Sequence, residues 1–247
     1  VKVIKLGGSL LEQPKALSAL FQSLKQNDDE IVLIHGGGGL VQQWLTTAGL
    51  HSEKQHGLRV SPEQHMPYIV GGLAGAANKT LMKQAITAGL KPIGLTLYEA
   101  GVLCAKQSEN LGQVGLCQVP NTEPVPGLLA DLLMHGYLPI ISSIGFGENG
   151  DWFNVNADDA AVAVAATYNA DLLFITDVEA VLDGTGTPLS HLNSESIQQL
   201  TQAGVIKDGM EVKVRGALSA AKRLRRCVRI GSWNVMNNPF SGTQISE

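Results

Sequence analysis

Short apolar, β-branched runs separated by helix-like stretches constrain this chain more than any other feature. The runs are VKVIKL (1–6), EIVLI (30–34), KPIGLTL (91–97), YLPIISS (137–143), DLLFIT (171–176) and RCVRIG (226–231). Such alternation implies βαβ crossovers and an open, mainly parallel sheet sandwiched between helices, an α/β fold. No Pro/Ser-rich linker separates the first run from the last, so the 247 residues are expected to form one domain, 1–247. From Tyr98 to Pro120, spaced valines, glycines and polar residues suggest β-hairpins lying over the sheet rather than within it.

Three helix starts stand out. Ser61-Pro62-Glu63-Gln64 offers a hydroxyl N-cap and a proline at the first helical position, opening a long helix toward Ala88. Asn156-Ala157-Asp158-Asp159 sets an amide cap and two carboxylates at the positive end of an alanine-rich helix. A third helix runs from about Asp208 to Arg225.

A net charge of −4 gives no general pull toward nucleic acid or anionic membrane. The one dense basic run, Lys222-Arg223-Leu224-Arg225-Arg226, reads as a solvated helix end. Cys104, Cys117 and Cys227 are odd in number and scattered, without metal-ligand spacing, which fits a reducing compartment. No apolar stretch approaches a membrane span, and no basic-then-apolar leader precedes the first strand. The expected location is the cytoplasm.

Glycines bunch directly after the first two strands, in Lys5-Leu6-Gly7-Gly8-Ser9 and His35-Gly36-Gly37-Gly38-Gly39. In a parallel sheet, ligands bind at that edge, and bare N–H groups at a helix start suit a phosphate or carboxylate. Either cluster alone is also explained by a tight turn. A Walker A loop is excluded, because Leu73 and Asn78 stand where its glycines belong before Lys79-Thr80. At the second glycine cluster a GxGxxG fingerprint fails, because Val41 or Gln42 stands where its third glycine belongs, and GxSxG and HExxH are absent. Lys5 ends an apolar strand in phase with Val1 and Val3, and Lys213 falls on the apolar face of its helix with Met210 and Ala217. Snorkelling would account for either lysine singly, whereas a buried-edge ammonium group needs an anion. The string Asn154-Val155-Asn156-Ala157-Asp158 packs polar groups between Trp152-Phe153 and a buried helix, and groups so placed need partners.

Taken in order, IKLGGSLL, IHGGGG, HGLRVSPE, GLAGAANKTL, GQVG, LPIISSIG, NVNADDAA, ITDVEAVLD and DGMEVKV resemble the motifs of acetylglutamate kinases, the arginine-pathway members of the amino-acid kinase family. The likeness runs through nearly the whole chain. It implies the amino-acid kinase fold with β-hairpins over the substrate site, a part to about residue 150 that binds acetylglutamate and dimerises, and a part 151–247 that binds ATP. It also implies in-line attack of the γ-carboxylate of N-acetyl-L-glutamate on ATP, with Mg2+ held mainly by the ATP phosphates and no protein metal ligand.

Residue by residue, the resemblance makes Lys5 and Lys213 the lysines on the transferring phosphoryl group and Asp158 the carboxylate holding both. Gly7, Gly8, Gly36 and Gly37 become backbone donors to phosphoryl group and substrate, and Arg59 and Asn154 hold the acid. Asp177, Val178, Glu179, Ala180, Val181 and Leu182, with Val205, Ile206, Lys207, Asp208, Gly209 and Met210, form the ATP loops. Ala180 stands where the family usually has glycine, which would strain the loop if that position required positive φ. The start of the chain resembles the short, homodimeric, arginine-insensitive kind. A related kinase for another small acid, and a non-catalytic acetylglutamate or nucleotide sensor, are the alternatives.

Overall fold

The computed structural model describes residues 1–118, 127–238 and 240–247, and the side chain of Ser9 lies outside the description. The last residues of the expected hairpin region, Val119 and Pro120, lie outside the described residues. Along the chain the strands are β1 (Lys2–Leu6), β2 (Ile31–His35), β3 (Lys54–Gln55), β4 (Leu58–Arg59), β5 (Pro92–Leu95), β6 (Leu103–Lys106), β7 (Val114–Gln118), β8 (Leu138–Ser142), β9 (Ile144–Phe146), β10 (Trp152–Val155), β11 (Asp171–Ile175), β12 (His191–Leu192), β13 (Val228–Gly231) and β14 (Thr243–Ile245). The α-helices are α1 (Pro14–Lys25), α2 (Gly38–Thr47), α3 (Met66–Val70), α4 (Asn78–Thr87), α5 (Leu128–Met134), α6 (Ala157–Thr167), α7 (Ser194–Gln202) and α8 (Asp208–Leu224).

Eight strands form the central sheet in the order β12-β14-β13-β11-β1-β2-β8-β5. All its pairings are parallel except β13 with β14. Each of the six apolar runs supplies one strand of this sheet. Alternate residues feed the two faces, as the pleat requires. Ile4, Leu33, Ile140 and Ile175 pack against α1 and α4, while Val3, Val32, Ile141 and Phe174 pack against α6 and its neighbours. Lys5 shares the parity of Val3, so its side chain emerges on the α6 face. Helix α6 is buried all round from Ala160 to Ala165, and its alanines let it fit between the sheet and α8.

The expected hairpin region is more specific in outline. Strands β6 and β7 pair antiparallel and join β9 and β10 in a small closed barrel, β10-β7-β6-β9, beside the carboxyl edge of the sheet. It stands next to the cavity described below.

The helical run after Ser61 differs from expectation at its start and in its middle. Ser61 does not cap it; its hydroxyl donates to Arg59 O and accepts from Asn154 Nδ2, and Pro62 occupies the cap position. Tertiary partners outcompete the local cap there. Between α3 and α4 the chain makes π-helical turns from Gly71 to Ala77. Gly71 and Gly72 abut Trp44 and Val41 of α2, so these small residues serve packing within the chain. The basic run is the solvated end of α8, as expected, with Lys222, Arg223 and Arg225 exposed; Arg223 also pairs with Asp159, and Arg226 donates to the carbonyls of Asn169 and Ala170. Asn156 does cap α6, accepting from the N–H groups of Asp158 and Asp159.

Gly112 locks the barrel to the segment carrying Arg59. Its φ is +69°, and an added Cβ would come 2.5 Å from Ser61 O and 3.0 Å from Pro62 N. Ser61 N–H donates to Leu111 O, and Gln113 N–H to Ser61 O, so neither backbone can yield. Gly112→Ala is therefore expected to lower unfolding free energy by at least about 1–2 kcal/mol, measured by urea denaturation; an unchanged midpoint would show that this crossing is not tight.

Candidate functional site

Strands β1 and β2 are neighbours, so their two glycine clusters do meet at one sheet edge. The Gly7 N–H is committed to Ile175 O at 3.0 Å, extending the β1–β11 ladder. Gly8 follows as the first residue of a helical turn, Gly8–Glu12, where an N–H lacks an intrahelical acceptor. The expectation that Gly7 supplies a free donor is therefore corrected in favour of Gly8. At the second cluster, Gly37 caps α2, whose first N–H groups are likewise without intrahelical acceptors and carry the positive end of its dipole.

Beside this helix start lies a cavity of about 170 Å³ lined by Gly36, Gly37, Lys54, Arg59, Ser143 and Asn154. Arg59 is buried, 8% exposed, and burial pushes its pKa down. A guanidinium group nevertheless stays charged. Its Nη1 donates to Gln42 Oε1 at 2.7 Å and to Ser52, and its Nη2 to Gly38 O at 2.9 Å. Nε–H and one Nη2–H are left over, and among the described residues no carboxylate pairs with it. Asn154 is tied to the same group of residues, because the Ser61 hydroxyl bridges its amide to Arg59 O.

The charged centre stands where α6 begins, next to Ala157 of the cavity wall. Lys5 Nζ lies 2.7 Å from Asp158 Oδ1 and 5.7 Å from the centre of the Phe174 ring. That contact is a close ion pair, and one carboxylate oxygen engages at most one of the three ammonium N–H bonds, so the others remain available. Lys213 is not held by Asp158 as expected: it donates to Asp177 Oδ1 at 2.7 Å, and this hydrogen bond holds the Asp177 carboxyl below the usual carboxylate range. Asp158 Oδ2 faces Gly216, one turn along α8 from Lys213. Two lysine–carboxylate pairs thus flank the sheet edge in place of one shared carboxylate.

The expected nucleotide segments adjoin, with Val205 lying against Gly184 and Lys213 bonded to Asp177. Ala180 does not adopt positive φ, so its methyl group causes no backbone strain and simply packs, 5% exposed. Val181 is buried, its N–H donated to Thr243 Oγ1, and the Glu179 carboxylate accepts from Ser232 Oγ and Asn234 Nδ2. These three brace the loop, as does buried Ile206, whereas Asp177, Leu182, Lys207, Asp208 and Gly209 are exposed. Asp208 opens α8 with φ +51°, an uncommon conformation for a residue with a side chain.

Sequence reasoning overlooked His35 and Asn78. His35 is fully buried; its Nδ1 contacts Gly36 O at 2.7 Å, and Asn78 Nδ2 reaches both His35 Nε2 and Ile140 O. This fits a neutral ring donating through Nδ1 and accepting at Nε2, holding the glycine loop from behind. Asn78 had stood out only as a misfit in a nucleotide-loop pattern. Lys54 was missed because a two-residue strand in a polar stretch leaves no periodicity to read.

The family model described as "Amino acid kinase family" matches residues 1–232. The acetylglutamate kinase of Colwellia psychrerythraea is 46% identical over 252 residues, spanning 98% of this chain and 95% of that one. That of Actinobacillus succinogenes is 47% identical over 236 residues, spanning 94% and 90%. Among solved structures, smu.665 from Streptococcus mutans aligns with a TM-score of 0.76 at 27% identity, covering 99% of this chain and 98% of that one.

Burial lowers the His35 pKa from 6.5 to about 4. Between those values the unfolded chain binds a proton that the folded chain does not, so stability falls as pH drops from 6.5 to about 4 and then levels off. This group accounts for roughly 3 kcal/mol of that fall. His35→Asn should flatten this part of a urea-denaturation pH profile; an unaltered slope would show that His35 does not titrate so.

Proposed function

The chain belongs to the amino acid kinase family, and from that premise we propose that it is an ATP-dependent acetylglutamate kinase. It phosphorylates the γ-carboxylate of N-acetyl-L-glutamate, giving N-acetyl-L-glutamyl 5-phosphate and ADP in arginine biosynthesis. The observation that carries the acid half is Arg59, a buried guanidinium group facing a small cavity with no carboxylate among the described residues to neutralise it. Left alone, such a charge is costly; a substrate carboxylate taken by its two free N–H bonds resolves it. Asn154 and the α2 start complete the cradle.

No general base is required, because the attacking carboxylate is ionised near neutral pH. The chain's task is to align acid and phosphoryl group and to neutralise developing charge. In this reading Lys5, kept in place by Asp158, faces the acceptor side, and Lys213, kept in place by Asp177, faces the nucleotide. Gly8 and the Gly37–Gly38 turn supply backbone donors between them. The exposed parts of 177–182 and 205–210 receive ATP. Mg2+ accompanies ATP and is held chiefly by its phosphates.

Residues to about 150 bind the acid, with Asn154 reaching in just beyond, and 151–247 bind the nucleotide. We also infer a homodimer, twofold pairing being the commonest closed assembly, with half-exposed Tyr68 on the long helix as part of its contact. The cytoplasm is the compartment proposed, and among the described residues no helix is long and apolar enough to cross a membrane.

Hydroxylamine trapping of the acyl phosphate tests the reaction directly. Trapped product should require both ATP and acetylglutamate, and no product with that pair would contradict the reading. Arg59→Lys, which loses the forked geometry, should raise the KM for acetylglutamate by about tenfold or more with little change in the KM for ATP. Equal effects on both would remove Arg59 from the acid site.

A further inference from the structure

Cys104 and Cys117, 13 positions apart in sequence, are directly registered partners across β6 and β7, with Sγ atoms 3.9 Å apart and both side chains buried. Gln107 N–H donates to Val114 O, which marks 107 and 114 as a hydrogen-bonded pair. Alternation then makes 104 and 117 a non-hydrogen-bonded pair, whose Cα atoms stand about 4.5 Å apart with side chains close. A disulfide accepts Cα separations of about 4.4–6.8 Å, so rotation of the two side chains brings the sulfurs together without moving the strands far. The surroundings leave room, because Cys104 Sγ occupies the space a Cβ on Gly145 would need. Cys104 is 4% and Cys117 7% exposed, and on its other side β6 is registered to β9 through Leu103 and Phe146. The contact between the two sulfurs, in which either can donate, favours the thiolate at Cys104, while that same contact and burial push the Cys117 thiol up.

We propose that Cys104 and Cys117 are a peroxide-oxidisable dithiol whose disulfide staples β6 to β7 in the wall of the acid-binding cavity. The Cys104 thiolate attacks one oxygen of hydrogen peroxide, the O–O bond breaks, and a sulfenic acid forms as hydroxide leaves. The Cys117 sulfur then attacks the sulfenic sulfur, the S–O bond breaks, and a second hydroxide leaves. The two hydroxides take up the two thiol protons as water, and two electrons pass from the sulfurs to the peroxide. The staple reaches the site because β7 places Val114 opposite Asn154 in register. That consequence rests on the acetylglutamate reading; formation of the bond does not.

The test exposes the reduced full chain to hydrogen peroxide, alkylates remaining thiols with iodoacetamide, and maps peptides by mass while assaying trapped acyl phosphate. The expected result is a Cys104–Cys117 link, with the KM for acetylglutamate raised about threefold or more, an unchanged KM for ATP, and reversal of both effects by dithiothreitol. Cys104→Val and Cys117→Ala should each abolish the link and the KM change. Unlinked Cys104 and Cys117 after exposed Cys227 has been fully oxidised would overturn the dithiol. A link that leaves the acid KM unchanged would overturn its reach to the site. A reduced chain that yields no acyl phosphate would strike at the acetylglutamate reading, and the mass map would still decide the dithiol.

Discussion

A lysine ammonium group on an apolar strand can be kept in place only by a counter-charge delivered from another element, and the Lys5–Asp158 pair is that arrangement here. The Lys5 side chain is 17% exposed, so desolvation offsets much of its attraction to Asp158. The pair is therefore a poor source of stability and a good source of position. Much of the fold serves it. Strand β1 must keep its parity to aim Lys5 at α6, Asn156 must cap α6 to present Asp158 in its first turn, and the alanines of α6 must be small enough for α8 to close over them.

Separate pairing of Lys213 with Asp177 changes how charge is organised at the sheet edge. Each ammonium group has its own carboxylate on its own side of the gap, so each can be tuned independently. Lys5 and Asp158 join the central strand to α6, whereas Lys213 and Asp177 join α8 to the loop after β11. A third set of groups fixes Arg59 beside the cavity: Gln42, Ser52 and the Gly38 carbonyl hold three of its donors and leave two free. Behind the glycine loop, the His35–Asn78 contact supplies polar partners that a dry core would otherwise lack.

The sheet was legible because its strands are continuous apolar runs, and the α6 start because Asn156 and two acids form a local signal. Lys5 was legible as a charge on an apolar strand, whereas Arg59 was singled out only by the motif resemblance. What escaped notice depends on long-range partners. Ser61 carries every local mark of a cap, yet Arg59 O and Asn154 claim its hydroxyl. Gly71 and Gly72 carry no local sign that α2 packs on them. Nothing in the spacing of Asp177 and Lys213 reveals that they meet, and the Cys104–Cys117 register follows from the hairpin and not from any motif. Ala180 raised an expectation of strain that its backbone conformation removes.

The central claim is that two independent lysine–carboxylate pairs organise transfer, and double-mutant cycles on kcat test it most directly. The cycles combine Lys5→Ala or Lys213→Ala with Asp158→Asn or Asp177→Asn. Loss of either lysine should cost on the order of 10²–10³ in kcat. Strong non-additivity is predicted within Lys5/Asp158 and within Lys213/Asp177, with near-additivity across the two pairs. Non-additivity of Asp158 with both lysines, and none between Lys213 and Asp177, would contradict the account.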